Sequence, residues 1–388
     1  MTQSRLARFI FFVAFGIVLL GIPLVYNASS VVADLNHGDT FLFLKSHTFR
    51  VFVAVSLCLA ISRMSYRPLE RLGKVFLLGS LVVLGLVLCL PDQYAPVVNG
   101  ARRWLKIPGM IQVQPSEFAR LALVIYLAGY LARKKTAIRD FRDGVLPAVV
   151  VYGACAVLVL AGRDLGTALT CALLVMLLLF VGGAQLRHLA ALAVSGTGAF
   201  VVLILVAPYR MARVMAFLDP EVDKLGISYH VWQSLIGIAR GGWVGVGWGL
   251  SRQKLLFLPE AHTDFLFSIV GEELGFIGAC ALIGAYALLG YLGLLTARNA
   301  RDEFGRYLAI GITGMVVLNA FLHAAVTIAL VPTTGLPMPL LSFGGTSIVT
   351  TMMGIGILLS VASQPRVETK GPGGMVAWSM KAGRRRRR

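Results

Sequence analysis

Charged residues are scarce in this chain: they make up 14% of its 388 residues, whereas hydrophobic residues make up 57%. A soluble domain carries roughly 25% charged residues, so the composition excludes a water-soluble protein of one or two domains. The apolar fraction also excludes disorder for the body of the chain, because disordered chains are poor in apolar residues. A disulfide framework is disfavoured as well, since the five cysteines stand singly within apolar stretches.

The apolar residues are gathered into runs that approach the length of a membrane-spanning helix, about 20 residues. These runs cover residues 9–25, 46–64, 74–90, 116–132, 145–161, 165–181, 189–207, 273–295, 307–331 and 345–361. The first run starts like a cleaved signal peptide, but the many later runs favour a retained helix. The sequence therefore predicts an all-α polytopic membrane protein with about ten transmembrane helices, in which residues 1–363 form a single transmembrane domain.

Acidic residues are also few, with 18 against 36 lysines and arginines, which gives a formal charge of +18. In a soluble protein this balance would suggest nucleic acid, but here most basic residues fall in the short connections on one side of the predicted spans. The positive-inside rule then places both termini in the cytoplasm, and nucleic acid is not expected as a partner. Residues 364–388 end in a block of arginines, which predicts a disordered basic tail that touches anionic lipid, unless the block is an appended remnant.

This orientation leaves one long outer loop, residues 208–264, between the seventh and eighth spans. It is far longer than a usual connection, and its content of Trp, Gly and apolar residues predicts an ordered, functional loop. The outer segments also carry basic residues where the charge rule expects few, and we expect these to bind phosphate groups. The substrate-binding candidates among them are Arg102, Arg103, Arg210, Arg213 and Lys254. Pairing with neighbouring acids or with lipid headgroups is the alternative.

Residues 229–240 of this loop have the pattern of an amphipathic helix, with Trp232 on the apolar face and Gln233 on the other. Such a helix would suit a substrate with a polar head and a tail in lipid. An ordinary loop helix packed on the bundle would show the same pattern.

Ionisable residues cluster at two places near the outer surface. Glu260, His262 and Asp264 lie where the long loop meets the eighth span, and a carboxylate there can act as a general base toward a hydroxyl or cap the helix. Glu117 and Arg120 share one helical face at the start of the fourth span. Ionisable groups in membrane helices are functional candidates, although a mutually neutralising structural pair is the alternative. The histidines lack the spacing of a protein-built metal site.

Several motifs together resemble the SEDS family, which includes FtsW and RodA. They are NGARRW from residue 99, QPSE from 114, DLGTA from 164, SRQKLLFLPEAHTDF from 251, GEELG from 271 and VPTTGLPMPLLSFGG from 331. The resemblance covers the chain from the first span to the tenth, and the motifs from 251 and 271 look more like FtsW than RodA. Arg120 stands where the family usually has lysine, His230 where glutamine is common, and Arg163 where proline is usual.

The resemblance implies a glycosyltransferase of the bacterial inner membrane that polymerises lipid II into glycan strands outside the cytoplasm, in septal cell-wall synthesis, and releases undecaprenyl pyrophosphate. It implies Asp264 as the catalytic residue. Beside the basic set, the substrate-binding candidates are Glu117, Arg120, His262, Gln233 and Ser342. The implied partners are a class B penicillin-binding protein, which supplies the transpeptidase, and other division membrane proteins. No cofactor is required with certainty, and Mg²⁺ or Mn²⁺ at the pyrophosphate is a candidate.

Two rival functions stay open at this point. A lipid II flippase would use Glu117, Arg120 and Asp164 as charges along its pathway, but transporters often show inverted repeats that this sequence lacks. A non-catalytic scaffold would recruit division enzymes through its helices and would tolerate neutral substitutions at Asp264.

Overall fold

The computed structural model describes residues 3–98, 100–106, 112–219, 226 and 228–364. The predicted basic tail lies, apart from Gln364, outside the described residues. Twelve α-helices make up most of the described chain. They are α1 Gln3–His37, α2 Leu42–Arg63, α3 Pro68–Cys89, α4 Pro115–Lys134, α5 Leu146–Ala161, α6 Leu165–Val181, α7 Leu186–Leu205, α8 Pro208–Leu218, α9 Tyr229–Gly241, α10 Leu266–Arg298, α11 Glu303–Thr327 and α12 Ser347–Ser363.

Short elements complete the fold. A 3₁₀ turn at Lys135–Arg139 and a π turn at Phe141–Val145 join α4 to α5, and a second π turn lies at Gln253–Phe257. Four two-residue strands pair as two antiparallel ribbons between α3 and α4. They are β1 Val97–Val98 with β2 Ala101–Arg102, and β3 Leu105–Lys106 with β4 Gln112–Val113.

Seven helices in the described chain are long and apolar enough to cross a bilayer, namely α1, α2, α3, α5, α7, α10 and α11. The apolar helices α6 and α12 are shorter, and α4 has 20 residues but carries charged side chains. Each of these helices corresponds to one predicted apolar run. The prediction of a helical, multi-pass membrane protein is therefore confirmed.

α11 lies at the centre of the bundle, in contact with α4, α6, α10 and α12. Glycines let these helices approach closely, as small residues do between membrane helices. A Cβ on Gly311 would lie 2.5 Å from Val124 Cγ1, and a Cβ on Gly314 would lie 2.5 Å from Leu177 Cδ2. The outer helices α2, α3 and α7 leave large apolar side chains such as Phe52 and Val194 exposed, as expected of surfaces in contact with lipid.

The predicted helix at residues 229–240 is confirmed as α9, but its buried face includes only part of the predicted apolar face. Val231, Ser234 and Gly237 are buried against α10 and α11. Ser234 Oγ donates to the carbonyl oxygen of Thr327 at 2.7 Å. Ser268 Oγ donates to the backbone carbonyl oxygen of Ser234 at 2.9 Å. The small residues of α9 thus pack on the bundle, whereas Ile236 is exposed and Trp232 is half-buried.

α10 begins at Leu266, seven residues before the predicted run, and it includes both glutamates of the GEELG motif. Glu272 and Glu273 are buried. Arg240 Nη1 donates to Glu272 at 3.1 Å, and Asn27 Nδ2 donates to Glu273 at 2.6 Å. The backbone N–H of Ser251 also donates to Glu273, at 3.2 Å. These bonds tie the end of the long loop to α10 and α1.

Candidate active site

Asp264 lies in the turn that leads into α10, at the end of the bundle where the long loop folds back. Its backbone N–H donates to the carbonyl oxygen of Glu260 at 3.1 Å. The side chain is only partly buried. A Cβ placed on Gly335 would lie 3.5 Å from Asp264 Oδ2, so the carboxylate faces the loop between α11 and α12. The positive φ of Gly335, 67°, is a conformation that glycine adopts readily.

The surroundings of Asp264 make its carboxylate unusually basic. The pKa of this carboxyl is raised from 3.8 to about 6, chiefly by burial and also by the nearby negative charge of Glu260. Arg213 and Arg103 act in the opposite direction. At neutral pH the carboxylate is therefore mostly ionised and yet able to accept a proton, which is the state that a general base requires.

A cavity of about 240 Å³ lies beside this carboxylate, and four arginines line it. They are Arg103, Arg163, Arg210 and Arg213. Two of them, Arg103 and Arg213, also act on the charge of Asp264. The remaining wall includes apolar side chains of α6, α7 and α11, among them Leu169, Phe200 and Leu322. The cavity therefore offers positive charge and an apolar surface to the same ligand.

Local bonds hold two of these arginines in place. Arg103 Nε donates to the carbonyl oxygen of Gly162 at 3.1 Å, and its guanidinium also bonds to the carbonyl oxygen of Arg163. Arg210 Nη1 donates to the carbonyl oxygen of Leu203 at 2.9 Å, and Arg213 is exposed one turn further along α8. Arg163 has a positive φ of 62°, an uncommon conformation for a residue with a side chain.

Asp164 organises the neighbouring helix starts. Its side chain caps α6 by accepting from the N–H of Thr167 at 3.1 Å, and it also accepts from Gln114 Nε2 at 3.1 Å. Glu117 and Arg120 form a fully buried ion pair at 2.5 Å, and Thr350 Oγ1 donates to Glu117 at 3.3 Å. Neither member of the pair is among the charged groups that shift the pKa of Asp264. The pair thus joins α4 to α12 one layer away from the carboxylate.

Two of the predicted basic residues lie outside the cavity. Arg102 bonds to the carboxylate of Asp92 and to the carbonyl oxygen of Leu90, within the segment that leads to the strands. Lys254 Nζ donates to Asn27 Oδ1 at 2.6 Å and lies 3.8 Å from Glu273. Both side chains are used in local structure in this conformation.

The other predicted binding residues are distributed around the loop between α11 and α12. His262 is buried between the rings of Phe43 and Phe343, at 4.7 and 5.7 Å between centroids, and burial lowers its pKa. Ser342 is buried and its Oγ accepts from the N–H of Met338 at 3.1 Å. Gln233 is half-buried on α9 and does not line the cavity.

Two functional candidates escaped the sequence analysis. Arg163 lines the cavity, although in the sequence it stood out only as a departure from the usual proline. Its positive charge in a predicted outer turn could have marked it as a phosphate-binding candidate. Arg50, on α2, lies 4.6 Å from the ring of Phe343, whose N–H donates to the carbonyl oxygen of His262 at 3.0 Å. No sequence signal links Arg50 to the loop that carries Asp264, because the link runs through Phe343 and forms only in the folded chain.

Taken together, the fold and the site define a polytopic helical membrane protein with an arginine-lined cavity beside a basic carboxylate at one end of its bundle. Residues 7–367 match the model of the FtsW, RodA and SpoVE family, described as cell cycle protein. The chain belongs to this family.

Relatives in sequence and in structure match nearly the whole chain. A probable peptidoglycan glycosyltransferase FtsW of Trichlorobacter lovleyi is 39% identical over 88% of this chain and 89% of its own length. Stage V sporulation protein E of Bacillus subtilis is 35% identical over 90% of this chain and 95% of its own length. A chain from the structure titled "Structural coordination of polymerization and crosslinking by a peptidoglycan synthase complex" matches with a TM-score of 0.72 and 29% identity, over 91% of this chain and 96% of that one. The rod shape determining protein RodA of Thermus thermophilus matches with a TM-score of 0.66 and 28% identity, over 91% and 95%.

Proposed function

We propose that this chain is a peptidoglycan glycosyltransferase that polymerises lipid II into glycan strands during septal cell-wall synthesis. Family membership and the similarity to proteins named FtsW support this assignment. The observation that carries the mechanism is the position of the Asp264 carboxylate beside a cavity lined by four arginines.

In the proposed reaction Asp264 takes the proton of the sugar 4-hydroxyl of an acceptor lipid II. The oxygen then attacks the anomeric carbon of the growing strand and forms the new glycosidic bond. The bond from that carbon to the diphosphate breaks, and undecaprenyl pyrophosphate leaves with the bonding electrons. The pKa of about 6 suits Asp264 to this role, since a base works best with a pKa near the working pH.

The arginine-lined cavity would hold the diphosphate. Guanidinium groups form paired, charge-assisted hydrogen bonds with phosphate oxygens, and positive charge stabilises the leaving group as it develops. Arg103, Arg163, Arg210 and Arg213 supply that charge, and the apolar wall of α6, α7 and α11 offers a path for the prenyl chain. Glu117 and Arg120 would act as positioning residues, because they fix α4 against α12 beside the capped start of α6.

A divalent cation, Mg²⁺ or Mn²⁺, would bind here mainly through the diphosphate oxygens. Among the described residues no three His, Cys, Asp or Glu side chains converge into a metal site. Magnesium is commonly held by one or two carboxylates together with substrate phosphates, and Glu260 is the carboxylate that acts on Asp264 most directly. Bound there, the ion would supply further neutralisation of the leaving group.

We further propose that a class B penicillin-binding protein is the partner and that the Asp264 end of the bundle faces the outside of the cytoplasmic membrane. The partner is supported by the similarity to a chain of a peptidoglycan synthase complex, whose title names both polymerisation and crosslinking. The orientation is supported by the basic residues that are gathered at the opposite end of the bundle, such as Arg139 and Arg298. The start of α1 and the end of α12 lie at that end, so both termini would be cytoplasmic.

The test uses the purified chain with its penicillin-binding partner and lipid II in detergent, where there are no two sides for transport. We expect glycan polymer and released undecaprenyl pyrophosphate from the unaltered protein. Asp264→Asn should lower the rate by about 10²–10⁴-fold. Glu303→Gln, a matched carboxyl-to-amide change at an exposed position of the opposite end, should keep it. No polymer would point to a transporter, and full activity of Asp264→Asn would contradict the proposed base.

A further inference from the structure

A second cavity, of about 570 Å³, lies at the end of the bundle opposite to Asp264. α4 starts at the Asp264 end, where the N–H of Gln114 donates to Thr346 Oγ1 at 2.8 Å. Its 20 residues then span ~30 Å, at 1.5 Å per residue. The cavity lies beyond its last turn, between the connection from α4 to α5 and the connection from α6 to α7. The proposed reaction leaves it without a role.

Three arginines line this cavity: Arg139, Arg142 and Arg187. Within the described chain none of them forms an ion pair within 4 Å, so their charge is available to a ligand. The acidic residue of the lining is Asp140, whose carboxylate accepts from the N–H of Asp143 at 3.0 Å as the cap of the π turn. The lining therefore keeps a net positive charge.

The local fold sets the two arginine-bearing segments against each other. Gln185 Nε2, at the start of α7, donates to the carbonyl oxygen of Arg139 at 2.9 Å. Gly144 lets the π turn approach the 3₁₀ turn, since a Cβ there would lie 2.5 Å from Ile138 Cα. The arginines therefore project from segments whose backbones are held together.

Two further features in and next to the lining favour an amphiphilic anion over a free one. His188 lies in the first turn of α7, packs edge-on against Phe141 at 5.4 Å, and has a buried Nδ1 without a partner among the described residues. The N-terminal end of a helix also favours negative charge. Beside these polar groups Phe141 is 38% exposed and Leu186 is 71% exposed, which gives the cavity an apolar border.

We propose that this cavity binds the phosphate of an anionic phospholipid headgroup, with the acyl chains lying along Phe141 and Leu186. Arginine binds phosphate through paired hydrogen bonds, and three of them from two connections form a localised site. Their place at the end of membrane-spanning helices puts the site at headgroup level. The exposed side chains of Leu186 and Phe141 cannot bind a free phosphate ion, whereas they can contact the acyl chains of a lipid.

Native mass spectrometry of the full-length protein in detergent tests this site, with phosphatidylglycerol or phosphatidylcholine added. We expect the triple variant Arg139→Gln/Arg142→Gln/Arg187→Gln to lose phosphatidylglycerol affinity by about tenfold or more. Phosphatidylcholine binding should stay unchanged. The control triple Arg63→Gln/Arg298→Gln/Arg301→Gln removes the same charge from exposed positions of the same end, and it should change the affinity by less than about twofold.

Equal losses in the two triple variants would overturn the proposal, because diffuse positive charge would then explain the binding. Displacement of phosphatidylglycerol by low concentrations of inorganic phosphate would overturn it too, in favour of a free-anion site. A milder variant, Leu186→Ser, keeps all three arginines and removes no buried contact, because Leu186 is exposed. It should weaken phosphatidylglycerol binding and leave inorganic phosphate binding unchanged, and the absence of any weakening would contradict the acyl-chain contact.

Discussion

At the scale of single residues, the pKa of Asp264 makes the proposed mechanism testable by pH. Activity requires the ionised carboxylate, so the rate should fall as the pH drops through the pKa of about 6. Glu260 raises this pKa, and Glu260→Gln should therefore move the acid limb of the rate profile to lower pH. Arg213 lowers it, and Arg213→Gln should move the limb to higher pH. The measurement is the initial rate of lipid II polymerisation between about pH 4.5 and 8 at constant ionic strength, about 0.15 M.

Ionisation of the substrate affects both variants equally. Shifts of the acid limb in opposite directions would therefore identify Asp264 as the titrating group. An acid limb that stays in place in both variants would show that another group controls the rate. A shift of both limbs in the same direction would point to a general loss of structure.

The buried pair of Glu117 and Arg120 gives a second prediction at this scale. Each member is 1% exposed, and two buried nitrogens of Arg120 lack hydrogen-bond partners in the described chain. Arg120→Met would leave a buried carboxylate uncompensated, which should lower the free energy of unfolding by about 3–5 kcal/mol. The double variant Glu117→Leu/Arg120→Met removes both charges and should recover most of that stability. Thermal unfolding in detergent compares the two, and a double variant no more stable than the single one would contradict this account.

The site also shows which positions of single residues can be predicted from sequence. Arg103, Arg210 and Arg213 line one cavity beside Asp264, as expected of outer cations near a basic carboxylate. Arg102 and Lys254 carry the same charge in the same outer segments, yet they bond to Asp92 and Asn27. Charge sign and topology are local properties of the sequence, whereas the carboxylate or carbonyl oxygen that each cation meets is decided by tertiary packing.

At the scale of helices, the spans were predictable because hydropathy is a property of a short stretch of sequence. The start of α10 was not, because Glu272, directly before the predicted run, looks like a loop residue when its partners are unknown. Partners such as Arg240, Ser251 and Asn27 make the carboxylates of Glu272 and Glu273 tolerable inside the helix. Helix α8 and the two ribbons between α3 and α4 also escaped prediction, since short elements leave a weak periodic signal.

The kink of α10 yields a prediction for this scale. Gly275 has φ +66° and ψ −166°, a conformation that residues with side chains avoid, and a Cβ there would lie 2.7 Å from the carbonyl oxygen of Trp243. Phe276 and Ile277 donate their N–H groups to Gly242 and Trp243, so the kink anchors the long loop. Gly275→Ala should lower the free energy of unfolding by about 1–3 kcal/mol through backbone strain. The close approach of the new Cβ to the carbonyl oxygen of Trp243 adds to this loss.

A matched control lies in the same helix. Gly284 is helical, and a Cβ added there would have no neighbouring atom within 4 Å, so Gly284→Ala should be neutral or slightly stabilising. Thermal unfolding and polymerisation rates of the two variants are compared. If Gly275→Ala is as stable and as active as Gly284→Ala, the kink does not hold the loop.

At the scale of the whole molecule, the distribution of charge separates the two ends of the bundle. Arginines that follow α2, α4, α6 and α10 crowd the end opposite to Asp264, whereas four arginines at the Asp264 end line one cavity. In the proposed orientation the first group follows the positive-inside rule, and the second opposes it. An outer cluster that weakens the topological signal is expected where the cations bind substrate.

This asymmetry predicts which end is accessible from outside the cell. In a background where the exposed Cys89 and Cys280 are replaced by serine, Val244→Cys places a thiol at a position that is 76% exposed near the long loop. Ala137→Cys places one in the exposed 3₁₀ turn after α4. In intact spheroplasts a membrane-impermeant maleimide should label the first variant and should reach the second only after permeabilisation. The reverse pattern would put Asp264 in the cytoplasm, where the growing strand is not assembled, and would remove the physical basis of the proposed reaction.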